Sequence, residues 1–135
     1  MLSSNRIALA AGLLLGAFVA VTTLSSASFG RVSTFAGTVA HEGVSSHSFT
    51  LERGGTVEVT LTALRPGVTD ANEIGLGLGT PTPTGNCALV EADDSTHVSG
   101  QVGGNLQKGT YCVTVYDSGD VSSEPVDYTV SVTEE

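Results

Sequence analysis

The chain is poor in positive charge. Its 135 residues include five Lys and Arg against 14 Asp and Glu, a formal net charge of −9. From Ser28 onward all 14 acids but only four of the five bases remain, so this part carries a net charge of −10. Proteins bind nucleic acid through clusters of Lys and Arg that release counterions from phosphates, and anionic lipid headgroups attract basic segments. The composition therefore excludes nucleic acid as a partner and argues against binding to a membrane surface.

The sequence contains no tryptophan, and aromatic residues make up 5% of it. Protein surfaces that bind carbohydrate usually stack the sugar rings on Trp or Tyr side chains. Apart from Phe29, Tyr116 is the aromatic side chain whose place in the strand pattern described below predicts exposure. Tyr116 is therefore the candidate ligand-binding residue if the chain binds a glycan.

Motifs of nucleophilic catalysis are missing as well. The sequence has three histidines but no Gly-x-Ser-x-Gly segment, which forms the nucleophile elbow of many hydrolases. His41 and His47 flank a predicted turn and His97 opens a short strand, so we expect all three to be exposed loop residues. We therefore expect no enzyme activity. Because a catalytic triad is defined by geometry rather than composition, a small hydrolase is kept as a third hypothesis.

Two other stretches suggest catalysis or nucleotide binding only superficially. Asp93 and Asp94 are adjacent, so in a strand they point in opposite directions, whereas paired-carboxylate catalysis needs both in one cleft. The glycine-rich segment GLGLGT at 75–80 is followed neither by a predicted helix nor by the Lys of a phosphate-binding loop. We expect its glycines to allow close packing or a twist on one face of a strand.

The N-terminal segment predicts export. Residues 1–6 carry one positive charge, residues 7–24 are uncharged and apolar, and small residues stand at Ser25 and Ala27. This pattern is typical of a secretory signal peptide, with cleavage after Ala27. The alternative is an uncleaved membrane anchor formed by residues 7–24, whose length approaches that of a bilayer span. The predicted organisation is a signal helix at 1–27 and one domain at 28–135, located in the periplasm or outside the cell.

Only two cysteines are present, Cys87 and Cys112, and with no histidine pair nearby they do not form a zinc site. An even number of cysteines in an exported chain predicts a disulfide. Such a bond contributes about 3.5 kcal/mol to stability in the chain-entropy model. Cys112 alternates out of phase with Tyr111 and Val113, so its sulfur should point away from the core. The bond should therefore join neighbouring strands at an edge or under a loop.

Apolar residues recur at every second position from residue 35 to residue 132, which is the period of a β-strand. The clearest run is TVEVTLTAL at 56–64, where Val57, Val59, Leu61 and Ala63 share one face. Segments rich in Gly, Pro, Asn and Asp separate about eight such runs and predict turns. Strands with one apolar face must bury it against another layer. We therefore predict an all-β fold, an antiparallel β-sandwich or jelly roll of about eight strands.

One acidic loop is a candidate calcium site. The segment YDSGD at 116–120 places Asp117 and Asp120 around a glycine turn, and Asp127 follows shortly after. Carboxylate oxygens on a tight loop suit Ca²⁺, although the spacing is not that of the common calcium-binding loop. The alternative is a plain Asp-Gly turn between two strands, which needs no ion. No other cofactor is predicted.

The strand set resembles the bacterial pre-peptidase C-terminal (PPC) domain family. The matching pieces follow the order seen in that family: FAG at 35–37, SFTL at 48–51, GTVEVTL at 55–61, GTYCVTV at 109–115 and YTVSV at 128–132. The resemblance implies a small, non-catalytic β-sandwich of an exported protein that assists secretion, surface attachment or substrate binding. The chain departs from the family pattern in its cysteine pair and in the segment SSHS at 45–48, where an acidic residue is frequent.

These observations favour a non-catalytic exported module with a structural or protein-interaction role. Its partner would be a protein or another component of the cell envelope. A calcium- or glycan-binding accessory module is the alternative. The two differ in what they require of the structure, because ligand binding needs clustered acids or an aromatic platform on one face.

Overall fold

The computed structural model describes residues 30–65, 74–119, 121 and 124–135. These residues form eight β-strands and no helix, which confirms the predicted all-β class. The strands are β1 (Arg31–Val39), β2 (Val44–Leu51), β3 (Gly55–Arg65), β4 (Ile74–Pro81), β5 (Cys87–Thr96), β6 (Gln101–Leu106), β7 (Gly109–Asp117) and β8 (Val126–Glu134). In these ranges no helix is long and apolar enough to cross a membrane. The predicted signal or anchor segment at 7–24 lies outside them.

The strands form two four-stranded antiparallel sheets. The first sheet has the order β1-β8-β3-β6 and the second has the order β2-β7-β4-β5. Each strand in the first half of the chain therefore pairs with its mirror-image strand in the second half, β1 with β8 through to β4 with β5. This is the jelly-roll arrangement of two packed sheets, one of the two architectures that the strand pattern predicts.

The core lies between the two sheets and follows the period of two. On β3, Val57, Val59 and Leu61 are at most 1% exposed, while Glu58 and Thr62 between and beyond them point to solvent. Valine and leucine dominate the layer, and burying one such side chain contributes about 1.5–3 kcal/mol. Burial of this apolar layer therefore holds the two sheets together.

A β-bulge changes the strand phase at the end of β3. The register with β8 shifts between Leu61 and Ala63, so that Leu64 packs against the core and Ala63 is only half-buried. Regular alternation predicts Ala63 as the inward residue, and that detail is wrong. A bulge places two residues opposite one and reverses the alternation beyond it.

The two sheets are joined by a polar contact near the β1 and β2 edges. The hydroxyl of Tyr128 lies 2.6 Å from Ser45 Oγ and 2.7 Å from His47 Nε2. The His47 ring also stacks on Phe35, with 5.1 Å between ring centroids. His47 is thus a half-buried strand residue and not the exposed loop residue that the sequence predicts. Burial lowers the pKa of His47 below its usual value and raises the pKa of Tyr128 above its own.

Candidate functional site

The outer face of the second sheet carries a groove. Its cavity has a volume of about 440 Å³ and is open to solvent on the side away from the core. The lining residues come from β2, β7, β5 and the β4–β5 turn: Val44, Ser46, Asn86, Cys87, Leu89, Asp94, Thr114 and Tyr116.

Glycines of β4 lie beneath the side chains that line the groove. Leu76 and Leu78 point into the core and are at most 1% exposed, so the alternate positions 75 and 77 face outward. A Cβ atom at Gly77 would lie 2.6 Å from a methyl carbon of Leu89, and one at Gly75 would overlap the ring of Tyr116. Both side chains therefore lie directly on the β4 backbone. The glycine run at 75–80 permits the close packing expected of it.

The walls combine apolar and polar groups. Val44 is 69% exposed and Leu89 is 42% exposed, so both present hydrocarbon to the groove. Ser46 and the buried Thr114 share a hydrogen bond across β2 and β7. The groove thus offers hydrocarbon surface beside hydrogen-bonding groups.

Tyr116 lies inside this groove and is half-buried. Its hydroxyl donates a hydrogen bond to Asp94 Oδ1. Burial of the ring and the carboxylate of Asp94 together raise the pKa of Tyr116 far above its ordinary value of 10. Tyr116 therefore remains a neutral donor throughout the physiological pH range, and its ring lies flat on the sheet instead of projecting as a platform. The prediction that Tyr116 binds a ligand stays a prediction.

A disulfide between Cys87 and Cys112 borders the groove, with 6.0 Å between the two Cα atoms. Cys112 lies opposite Ser48 and Gly79 and is outside the central hydrophobic cluster. The structure confirms the predicted pair and its position at an edge strand, β5. The bond does not join neighbouring strands, however, because β7 and β5 lie on either side of β4. An intramolecular disulfide is typical of exported proteins.

The predicted calcium ligands are engaged in other contacts. Asp117 accepts hydrogen bonds from the backbone N–H groups of Glu42 (2.7 Å), Gly119 (2.9 Å) and Val121 (3.0 Å). These contacts close the turn after β7 and tie it to the β1–β2 turn. The carboxylate of Asp117 therefore acts as a turn cap, the alternative that the sequence leaves open.

The other two predicted calcium ligands, Asp120 and Asp127, do not complete a metal site among the described residues. Asp127 accepts a hydrogen bond of 2.6 Å from Thr38 Oγ1 across β1 and β8, and Asp120 lies outside the described ranges. In the described part of the chain, no group of three His, Cys, Asp or Glu side chains is placed to hold a metal ion. Calcium binding at Asp117, Asp120 and Asp127 stays a prediction, to be checked by the melting temperature before and after chelation.

The lining of the groove includes no histidine that could form a catalytic pair with its serine. His41 Nδ1 lies 2.6 Å from the carbonyl oxygen of Val121 and 3.6 Å from Asp117 Oδ2, and its side chain is 59% exposed on a turn. Ser46 in the groove bonds to Thr114, and the residues that line the groove include no histidine. The lining of the groove therefore offers its serine no histidine to act as the base that activates a nucleophile.

No protein-family profile and no curated protein sequence matches the chain. Its fold is similar to that of solved structures. One is PliG of Aeromonas hydrophila, described as a periplasmic lysozyme inhibitor of g-type lysozyme. It is 18% identical with a TM-score of 0.54, over 78% of this chain and 88% of PliG.

A second similar structure is the Yersinia pseudotuberculosis-derived mitogen, YPM. It is 16% identical with a TM-score of 0.53, over 79% of this chain and 88% of the mitogen. Identities this low show a shared β-sandwich fold and nothing about function.

Proposed function

We propose that this chain is an exported, non-catalytic module that binds a protein partner through the groove of its second sheet. The observation that carries the proposal is the groove itself: a cavity of about 440 Å³ with exposed apolar walls on one sheet face. The fold similarity to PliG, a protein named as an inhibitor of an enzyme, supports a protein-binding role for this architecture. Membership of the PPC family, whose domains are likewise non-catalytic, belongs to the same proposal.

The groove suits recognition because its shape is formed before any partner arrives. Strand pairing holds the sheet beneath it, and the disulfide holds the edge strand β5 that forms one wall. A preformed site loses little conformational entropy on binding, so a small apolar contact area yields more affinity. The apolar Val44 and Leu89 beside hydrogen-bonding side chains match the mixed character of protein interfaces.

A pair of matched variants tests the proposal. Val44 lines the groove and is 69% exposed, whereas Val32 on β1 of the first sheet is 60% exposed. Val44→Asn and Val32→Asn introduce the same neutral polar side chain at two similarly exposed strand positions. The immobilised protein and both variants are incubated with the envelope and extracellular fractions of the source cells, and bound proteins are quantified by mass spectrometry.

We expect a defined partner to be retained by the wild type and by Val32→Asn, and to fall at least tenfold with Val44→Asn. The loss of one buried valine contact, about 1.5 kcal/mol or more, corresponds to that factor. Equal capture by both variants, equal loss in both, or no partner retained by the wild type would each contradict the proposal.

A further inference from the structure

The second sheet differs from the first in its charge. Its four strands contain no Lys or Arg, and they carry four acidic residues: Glu91, Asp93, Asp94 and Asp117. The four basic residues after residue 28 are Arg31 and Arg65 on the first sheet, and Arg53 and Lys108 in turns. The groove therefore lies on a sheet whose strands carry no positive charge, and one of the four acids, Asp94, lines it.

Within the groove, one carboxylate lies beside an aromatic ring and apolar side chains. Asp94 stands at the β5 side, where its Oδ1 accepts the Tyr116 hydroxyl hydrogen bond. The ring of Tyr116 lies next to it on the sheet, and Leu89 and Val44 supply hydrocarbon walls. A long cationic side chain suits this set of groups, because its charged head can meet the carboxylate and the aromatic ring while its aliphatic stem contacts the walls.

From this arrangement we propose that the groove binds an arginine side chain presented by a basic segment of the partner protein. The proposal rests on the proposed function and names the chemistry of the partner. The planar guanidinium can bond a carboxylate and stack on an aromatic ring at once, which an ammonium group does less well. The cavity of about 440 Å³ is in the range of about 300–1,000 Å³ typical of sites that take small ligands. A second copy of this chain is the less suitable occupant, because its second sheet has no Lys or Arg to offer the groove and two chains of net charge −9 repel each other.

Synthetic peptides test the arginine. Two fluorescently labelled, C-terminally amidated heptapeptides alternate threonine and valine and differ only at the central position. One carries arginine and the other its neutral isostere citrulline. Binding to the purified protein is measured by fluorescence anisotropy at low salt. We expect the arginine peptide to bind at least tenfold more tightly, and the difference to shrink as salt screens the charge.

Two variants on the same strand assign the effect to the groove. Asp94→Asn removes one negative charge inside the groove, and Glu91→Gln removes one outside it. We expect the preference for arginine to fall below threefold in Asp94→Asn and to remain in Glu91→Gln. Equal binding of both peptides, no saturable binding, or equal effects of both variants would overturn the proposal.

Two further results separate this inference from the proposed function. If Val44→Asn abolishes partner capture while the peptides show no preference for arginine, the partner-binding groove stands and the arginine assignment fails. If the arginine preference is present but partner capture is unchanged in Val44→Asn, the proposed function fails instead. A dimer of the protein alone in sedimentation, lost in Val44→Asn, would assign the groove to self-association and overturn the arginine proposal.

Discussion

Removal of the disulfide tests how the edge strand β5 is held in the sandwich. Along β5 the side chains are mostly exposed, and Thr96 at its end is the residue that is fully buried. Its pairing with β4 is interrupted by two register shifts. Because few β5 side chains pack against the core, we expect the disulfide between Cys87 and Cys112 to supply much of the restraint on this strand.

The size of the effect follows from the separation of the two cysteines, which is 25 residues. A closed loop of that length lowers the entropy of the unfolded chain enough to contribute about 3.5 kcal/mol to the free energy of unfolding. For a domain of about 100 residues this corresponds to a melting temperature about 15 °C higher. It is also a large share of a typical domain stability of about 5–15 kcal/mol.

The assay compares the wild type, the reduced wild type and the double variant Cys87→Ala/Cys112→Ala. Urea midpoints and melting temperatures report global stability, and amide hydrogen exchange reports each strand. We expect the melting temperature to fall by about 15 °C, and the β5 amides to lose more protection than those at the centre of β8. The reduced wild type controls for the loss of the sulfur atoms. A fall of less than about 3 °C with unchanged β5 protection would refute the reasoning, because β4 pairing alone would then hold the strand.

Two other predictions concern the contact between the sheets and the β4 glycines beneath the groove. Burial lowers the pKa of His47 below its usual value of 6.5, so below about pH 6.5 the unfolded chain binds more protons than the folded chain, and the free energy of unfolding should fall as the pH drops. Urea midpoints between pH 7.5 and 5 should therefore decline less steeply in His47→Gln than in the wild type, and equal slopes would contradict this. Gly75→Ala should displace the Tyr116 ring and lower its pKa towards 10, which absorbance titration of the tyrosines measures. Gly104→Ala, where a Cβ meets nothing within 4 Å, is the control, and an unchanged titration in Gly75→Ala would contradict the packing.

The strand pattern predicts most of the fold because alternation is a local property. A residue such as Val59 or Val113 is apolar while its neighbours are small or polar, so its inward direction can be read without knowing the partner strand. The disulfide is predictable for a similar reason, since two cysteines in an exported chain have one pairing. The glycines at 75–80 signal close packing, although what packs on them cannot be read from the segment.

Local reading fails where the backbone departs from regular alternation or where a polar residue finds a distant partner. The bulge near Ala63 reverses the inward–outward alternation of β3, and no residue type at that position predicts a bulge. His47 looks like a loop residue because it is surrounded by serines. Its environment is set by Phe35 on β1 and by Tyr128, which lies 81 residues further along the chain.

The amino-acid sequence thus accounts for the class of the fold, the inward face of regular strands such as β7, the disulfide and the acidity of the domain, because each depends on residue type and short-range spacing. The groove depends on which strands become neighbours. Val44 pairs with Tyr116 in the β2–β7 register, and Asp94 reaches Tyr116 across β4. Such contacts arise when two sheets fold over each other and the mirror-image strands pair. Which strands pair depends on the packing of the whole core, so it cannot be predicted from any short segment of the sequence.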